Sequence, residues 1–300
     1  MKHLVIGPGA MAYFLFMGTL SALSDKGLLS DLETISGSSA GGLIGFMYIL
    51  TKGDISQLFQ LSTEIPIKNI MKPNIKTLFK SFGLVSSKKI RSVLSDVTRK
   101  ILDKDDVTFA ELWEYWPVKL YISACCVDRS VTQYFSVDTH PDMSVHEALS
   151  MTIAVPFLFQ SVKYSEWYYI DGGALEETPC IPVLHCNPKT VCVIRTGGEF
   201  ASKVKNLKTY GLKLLMAAFS LRHRYPIFQE IVIETGDIDL FDFSMSTDSK
   251  VKMFVAGYMS CKISPPQAEN DPPHMLAEQP PLDQEHPEPT CDVVETPSHT

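Results

Sequence analysis

The chain of 300 residues has no uninterrupted run of 18 apolar residues, so an ordinary membrane-spanning helix is not expected. Its seven cysteines are an odd number, and no C-x-x-C pair occurs among them. That spacing gives no support to a zinc or dithiol redox motif, and free thiols are expected. Adjacent Cys125 and Cys126 would point to opposite faces of a strand. Positive charge is absent from residues 264–300, which hold eight acidic residues and nine of the 19 prolines. The net charge of −7 therefore sits in this appendage, and residues 1–263 carry +1. A body so close to neutral argues against a generally basic nucleic-acid binder. The Pro-rich acidic remainder buries too little apolar surface to offset its ordering entropy. Residues 1–263 are thus expected to form the folded domain and 264–300 a disordered tail. At the other end, Lys2-His3 followed by apolar residues through Leu23 imitates a signal peptide. Gly7-Pro8-Gly9 interrupts that run early, and the segment is read as part of the fold.

His3 to Ile6 reads as a short buried strand ended by Gly7-Pro8-Gly9, and 11–24 as a helix apolar on nearly every side. Leu32 to Ser36 is a second strand, followed by a glycine turn and an apolar helix from Leu43 to Leu50. Strand, glycine turn and buried helix, twice in succession, is the rhythm of a parallel α/β sheet. Residues 52–114 lack strand alternation and read as several helices, one of them capped by Ser86-Ser87 and running to about Leu102. Strands are expected at 118–125, 131–137, 159–164, 167–170 and 191–195, and helices at 144–152, 203–222 and 246–262.

Gly37-Ser38-Ser39-Ala40-Gly41 fits G-x-S-x-G with Ser39 at its centre. In that motif a sharp strand-to-helix turn holds the serine in a strained backbone conformation with its hydroxyl exposed. Side chains two positions away would collide, which explains the glycines. The following helix aims its N-terminal dipole at the site, favouring developing negative charge. A nucleophilic serine needs a base, and the later histidines are poor choices. His274, His286 and His299 lie in the tail, His223 sits between Arg222 and Arg224 on what reads as a solvated basic face, and no motif supports His185. Asp171-Gly172-Gly173 is better, because it ends the aromatic strand Trp167-Tyr168-Tyr169-Ile170 and would place a carboxylate at a strand's C-terminal end. A carboxylate of ordinary pKa is a weak base, so Asp171 would need contact with the serine and partial desolvation.

Together these residues resemble the patatin-like phospholipases. The resemblance rests on the loop Gly7-Pro8-Gly9-Ala10-Met11-Ala12, the elbow Gly37–Gly41 and the later Asp171-Gly172-Gly173. Ala154-Val155-Pro156-Phe157-Leu158-Phe159 resembles the segment preceding the family's aspartate, and Asp242-Phe243-Ser244 and Gly257-Tyr258 its closing helix region. It implies a three-layer α/β/α fold with a mostly parallel central sheet, and a Ser-Asp dyad without histidine. Carried over, Ser39 is the nucleophile and Asp171 the base, with Gly37, Gly41, Gly172 and Gly173 as supporting glycines. The first loop departs from the family's Gly-Gly-Gly-x-Arg/Lys-Gly: Pro8 replaces a glycine, Met11 the basic residue and Ala12 the last glycine. Pro8 has no N–H to donate, so the oxyanion hole falls to the backbone of Gly9 and Ala10, helped by the amide after Ser39.

The implied reaction is hydrolysis of fatty-acyl esters of membrane phospholipids through an acyl-enzyme, of phospholipase A type, with no metal or organic cofactor. A soluble carboxylesterase or acyltransferase with the same dyad, and a catalytically weak scaffold that binds lipid or a partner, remain the alternatives. Residues 66–104 hold ten basic residues against Asp96 and Asp103, interleaved with Ile67, Ile70, Met71, Leu78, Phe79 and Phe82. A second stretch, 203–224, adds six basic residues without an acid. Such segments suit reversible docking on an anionic phospholipid membrane rather than nucleic acid, whose stacking motifs are missing. A cytoplasmic, peripherally membrane-associated protein is expected, with secretion into or action within a host cell as a further setting.

Overall fold

The computed structural model describes residues 1–197, 204, 207–219 and 222–265. The expected tail therefore falls outside the described residues, apart from Ser264 and Pro265.

The strands are β1 (His3–Ile6), β2 (Thr34–Ser38), β3 (Gly83–Val85), β4 (Lys119–Cys126), β5 (Val131–Phe135), β6 (Phe157–Phe159), β7 (Val162–Tyr164), β8 (Trp167–Asp171), β9 (Val191–Gly197) and β10 (Gln229–Glu234). The helices are α1 (Tyr13–Asp25), α2 (Ala40–Leu50), α3 (Ile55–Glu64), α4 (Ile67–Ile70), α5 (Ile75–Ser81), α6 (Ser87–Leu102), α7 (Phe109–Tyr115), α8 (Val145–Thr152), α9 (Leu207–Ala218) and α10 (Thr247–Met259). The main sheet runs β10-β9-β1-β2-β4-β8-β7, with β5 on the other edge of β4. From β10 through β4 the pairings are parallel, and β5, β8 and β7 extend the sheet by antiparallel pairing. The fold is mixed α/β, a central sheet with flanking helices, as the sequence rhythm predicts.

Period-two alternation sorts the sheet into two faces. Leu4, Ile6, Cys192, Ile194, Ile231 and Ile233 join the large core beneath the helices. Val5, Val191 and Val193 point the other way, into a smaller cluster with Cys180, Val183 and Phe228. Helix α1 is buried over most of its circumference because it lies between neighbours, packing against α2, α3 and α10. Its crossing with α10 is close enough that a Cβ on Gly18 would overlap the Phe254 carbonyl, and one on Gly257 the Leu15 carbonyl.

One pairing detail builds the site. The first half of β4 pairs with β2, the last pair being Ser38 with Ser123. Its second half pairs with β8, beginning with Asp171 opposite Ala124. Since β5 occupies the opposite edge over Ile122–Cys126, β2 and β8 must share one edge of β4, meeting end to end. The C-terminal ends of both strands, and hence Ser39 and Asp171, converge there.

Four strands, β3, β6, β7 and β10, differ from the sequence reading. The stretch 159–164 is two strands, β6 and β7, and β6 pairs with β3 within the supposedly all-helical 52–114 region. Strand β10 is not anticipated at all. It contributes only Ile231-Val232-Ile233 between Glu230 and Glu234 and hydrogen-bonds as a strand because β9 offers it an edge.

Candidate active site

Ser39 lies between β2 and α2 with φ 53° and ψ −120°, a left-handed conformation that costs an ordinary residue about 1–3 kcal/mol. The surroundings hold it there. A Cβ on Gly37 would stand 2.5 Å from the Gly41 and Gly42 backbone, and one on Gly41 would overlap the Ile6 carbonyl. The second glycine is thus required by the close passage of β1. The Ser39 N–H donates to the Thr152 hydroxyl at the end of α8, 2.8 Å away. Thr152 is wholly buried, and no sequence motif points to it.

Asp171 is buried at the end of β8. Its N–H donates to the Ala154 carbonyl at 3.0 Å, so the Ala154–Phe159 segment is anchored beside it. Its Oδ1 accepts the Gly173 N–H at 2.8 Å. Ser39 lines the same cavity as this carboxylate, and its hydroxyl favours the ionised form. Burial pushes the Asp171 carboxyl up to about 6, and the Ser39 hydroxyl, the Gly173 N–H and the nearby Arg222 charge pull against that rise. Gly172 and Gly173 are both needed for close approach: a Cβ on the first would overlap the Ser123 carbonyl, and one on the second would meet Pro8 at 2.7 Å.

The loop after β1 forms the third side. Gly9 is extended at φ −173°, whereas Ala10 is left-handed at φ 46°. The Met11 N–H is tied to the Leu240 carbonyl at 3.0 Å, and the Ala12 N–H to that of Gly9 at 2.8 Å. Among the described residues the N–H groups of Gly9 and Ala10 have no acceptor, and Ala40 opens α2 with its N–H unused by the helix. By contrast, the Ser39 amide is spent on Thr152.

Two cavities meet at Ser39. One, of about 170 Å³, is the more polar of the two, with Asp171, Glu177, Arg195 and Arg222 set among apolar residues such as Val155, Leu240 and Phe241. The other, of about 180 Å³, is almost wholly apolar and is walled by Met11, Leu43, Ile70, Met71, Leu94 and Phe243, with further apolar neighbours. Ala10, Ser39, Val155 and Phe241 line both. Among the described residues no cluster of three or more His, Cys, Asp or Glu side chains is arranged to hold a metal ion.

The structure redraws both basic stretches. Ile67, Ile70 and Met71 turn inward to wall the apolar cavity rather than outward to solvent. Arg91, Arg99, Lys100 and Lys104 are paired with Glu147, Asp105, Glu64 and Glu111. The solvated basic face around His223 is also corrected. His223 is exposed, but Arg222 enters the polar cavity and Arg224 bonds Glu230 at 2.8 Å. Lys203 and Lys205 lie outside the described residues. Phe79, Phe82 and Phe157 are each exposed, at 82%, 55% and 68%.

Residues 4–184 match the family described as patatin-like phospholipase, more than half of the chain. The chain belongs to that family. A probable lipid hydrolase of Invertebrate iridescent virus 6 is 27% identical over 183 residues, which cover 59% of this chain and 61% of that protein. An uncharacterised protein of Acanthamoeba polyphaga mimivirus is 22% identical over 280 residues, covering 87% and 92% respectively. VipD from Legionella pneumophila superposes with a TM-score of 0.63 at 15% identity, over 87% of this chain and 66% of its own. At that identity the last likeness concerns the fold alone. This patatin-like chain thus spans less than two thirds of the iridescent-virus relative and of VipD.

Proposed function

We propose that this patatin-like protein is a lipid acyl hydrolase that cleaves fatty-acyl esters of membrane phospholipids through Ser39 and Asp171. The observation that carries the reading is Ser39, its backbone strained at the start of α2, facing the buried Asp171 carboxylate where a more polar and an apolar cavity meet. The iridescent-virus relative's name, probable lipid hydrolase, agrees with it.

In the first half-reaction Ser39 Oγ attacks the ester carbonyl while its proton passes to Asp171. A carboxyl raised to about 6 is a stronger base than an exposed one, yet ionised at neutral pH. The tetrahedral oxygen carries the negative charge, and the N–H groups of Gly9, Ala10 and Ala40 are the donors for it. Collapse expels the alcohol, which takes the proton back from Asp171, and leaves the fatty acid esterified to Ser39. Water then attacks in the same way, its proton passing through Asp171 to Ser39 as the fatty acid departs. The apolar cavity accepts the acyl chain. No step calls for a metal or an organic cofactor.

The test is release of fatty acid from phospholipid by the wild type, Ser39→Ala and Asp171→Asn. Losses of about a thousandfold or more are expected in both variants, with covalent fluorophosphonate labelling lost in Ser39→Ala. Full activity in either variant would refute the dyad. Absence of both hydrolysis and labelling in the wild type would favour the binding scaffold instead.

A further inference from the structure

The two cavities at Ser39 differ in chemistry, and an amphiphile whose ester lies at their junction would put its apolar chain in one and its polar group in the other. The cations of the polar cavity are not equivalent. Arg195 is only 12% exposed and is bonded to Glu230 at 3.1 Å and Glu177 at 3.4 Å. Arg224 bonds Glu230 and stands 3.9 Å from Glu177. These two arginines and two glutamates balance one another. Arg222 makes no ion pair within that network, though Glu177 and Asp171 both act on its charge. It donates to the Gly173 carbonyl at 3.2 Å, and among the described residues no carboxylate lies within ion-pair distance of it. A guanidinium has five N–H donors in a planar fork suited to phosphate, so most of its capacity faces the cavity. A partly desolvated cation with few bonds favours an anion. Met11, in the place where the family loop usually carries a basic residue, is buried and apolar and contributes none.

We propose that Arg222 binds the phosphate of a phospholipid substrate, holding the headgroup in the polar cavity while an acyl chain occupies the apolar one. This rests on Ser39 and Asp171 acting as the hydrolytic pair, and it adds how the enzyme separates phospholipid from neutral glyceride. The phosphate oxygens accept from the guanidinium, which keeps its bond to Gly173. Recognition of phosphate and position of the Asp171 loop are thereby joined in one side chain.

The experiment uses the full chain and two soluble substrates with identical acyl chains, dihexanoyl phosphatidylcholine and 1,2-dihexanoylglycerol, below their aggregation limits. Any effect that Arg222 exerts through Asp171 acts on both substrates and cancels in the ratio of their kcat/KM. Arg222→Gln is expected to lower that ratio, phospholipid over glyceride, by about ten- to a hundredfold, and Arg222→Lys to recover part of it. An unchanged ratio, with both rates falling together, would overturn the proposal and leave Arg222 as a prop for Gly173. Ser39→Ala supplies a readout without turnover, titrated calorimetrically with the same phospholipid and with inorganic phosphate. Phospholipid binding weakened at least tenfold by adding Arg222→Gln supports the proposal, even if the wild type hydrolyses neither lipid and the hydrolase reading fails. Binding indifferent to Arg222 overturns it, as does inorganic phosphate binding as tightly as the phospholipid.

Discussion

At the scale of single residues, the proposed role of Asp171 as the base would tie activity to stability. With its carboxyl raised to about 6 by burial, hydrolysis should rise with pH along a limb centred there, where an exposed aspartate would give a limb near 3.8. The folded protein holds the Asp171 proton more tightly than the unfolded chain does. Its contribution to stability is therefore present below 3.8 and lost as pH rises through about 6. The loss amounts to roughly 3 kcal/mol by neutral pH. Asp171→Asn cannot titrate, so its melting temperature should gain on the wild type between about pH 4 and pH 7. A gap independent of pH would contradict that account. Both members of the proposed pair were picked out by local signatures, an elbow and an Asp-Gly-Gly turn, and the structure brings the two residues to one cavity. Thr152 and Arg222 were not legible in the sequence, since neither belongs to a motif. Thr152 bonds the Ser39 amide across 113 residues, and Arg222 reaches the Gly173 carbonyl across 49.

Among the elements, those whose order comes from their own sequence were the readable ones. Helix α1 is mostly apolar, and α6 and α8 open with Ser86 and Ser144, whose side chains accept N–H bonds from Lys88 and Glu147. Strands β3, β6 and β10 were harder because each owes its strand character to a partner remote in the chain. The same remoteness governs the α1–α10 crossing, where Gly18 and Gly257 let two backbones touch. Thr19 adds a bond from its hydroxyl to the Gly257 carbonyl at 3.1 Å. Gly257→Ala must push α10 off α1, and a loss of about 1–3 kcal/mol or more is expected in chemical denaturation. A cost near the few tenths typical of surface changes would mean the helices separate freely.

For the whole molecule, we propose that membrane docking, expected of residues 66–104, uses only part of that segment. Its apolar residues divide between the inner cavity and an outer patch around α5, where Ile75, Phe79 and Phe82 are exposed beside Lys72, Lys76 and Lys80. Phe82 stacks edge-on against Tyr168 at 5.8 Å, and Phe157 pairs with Gly83, so the patch extends onto the neighbouring strands. This arrangement supports reversible binding to an anionic bilayer. Reversing the charge of Lys72, Lys76 and Lys80 should weaken binding to phosphatidylserine vesicles by about a hundredfold or more at low salt. Turnover of a monomeric ester should persist, and unaltered vesicle binding would rule the patch out. The meeting of β2 and β8 on one edge of β4 has a further consequence, in time rather than space. Ser39 and Asp171 are 132 residues apart in the chain, and neither can reach the other until both halves of β4 have been paired. Closing so long a loop is a late event in folding. Reactivity of Ser39 toward a fluorophosphonate should accordingly lag behind the helical signal during refolding, making the site a clock for the last step of assembly.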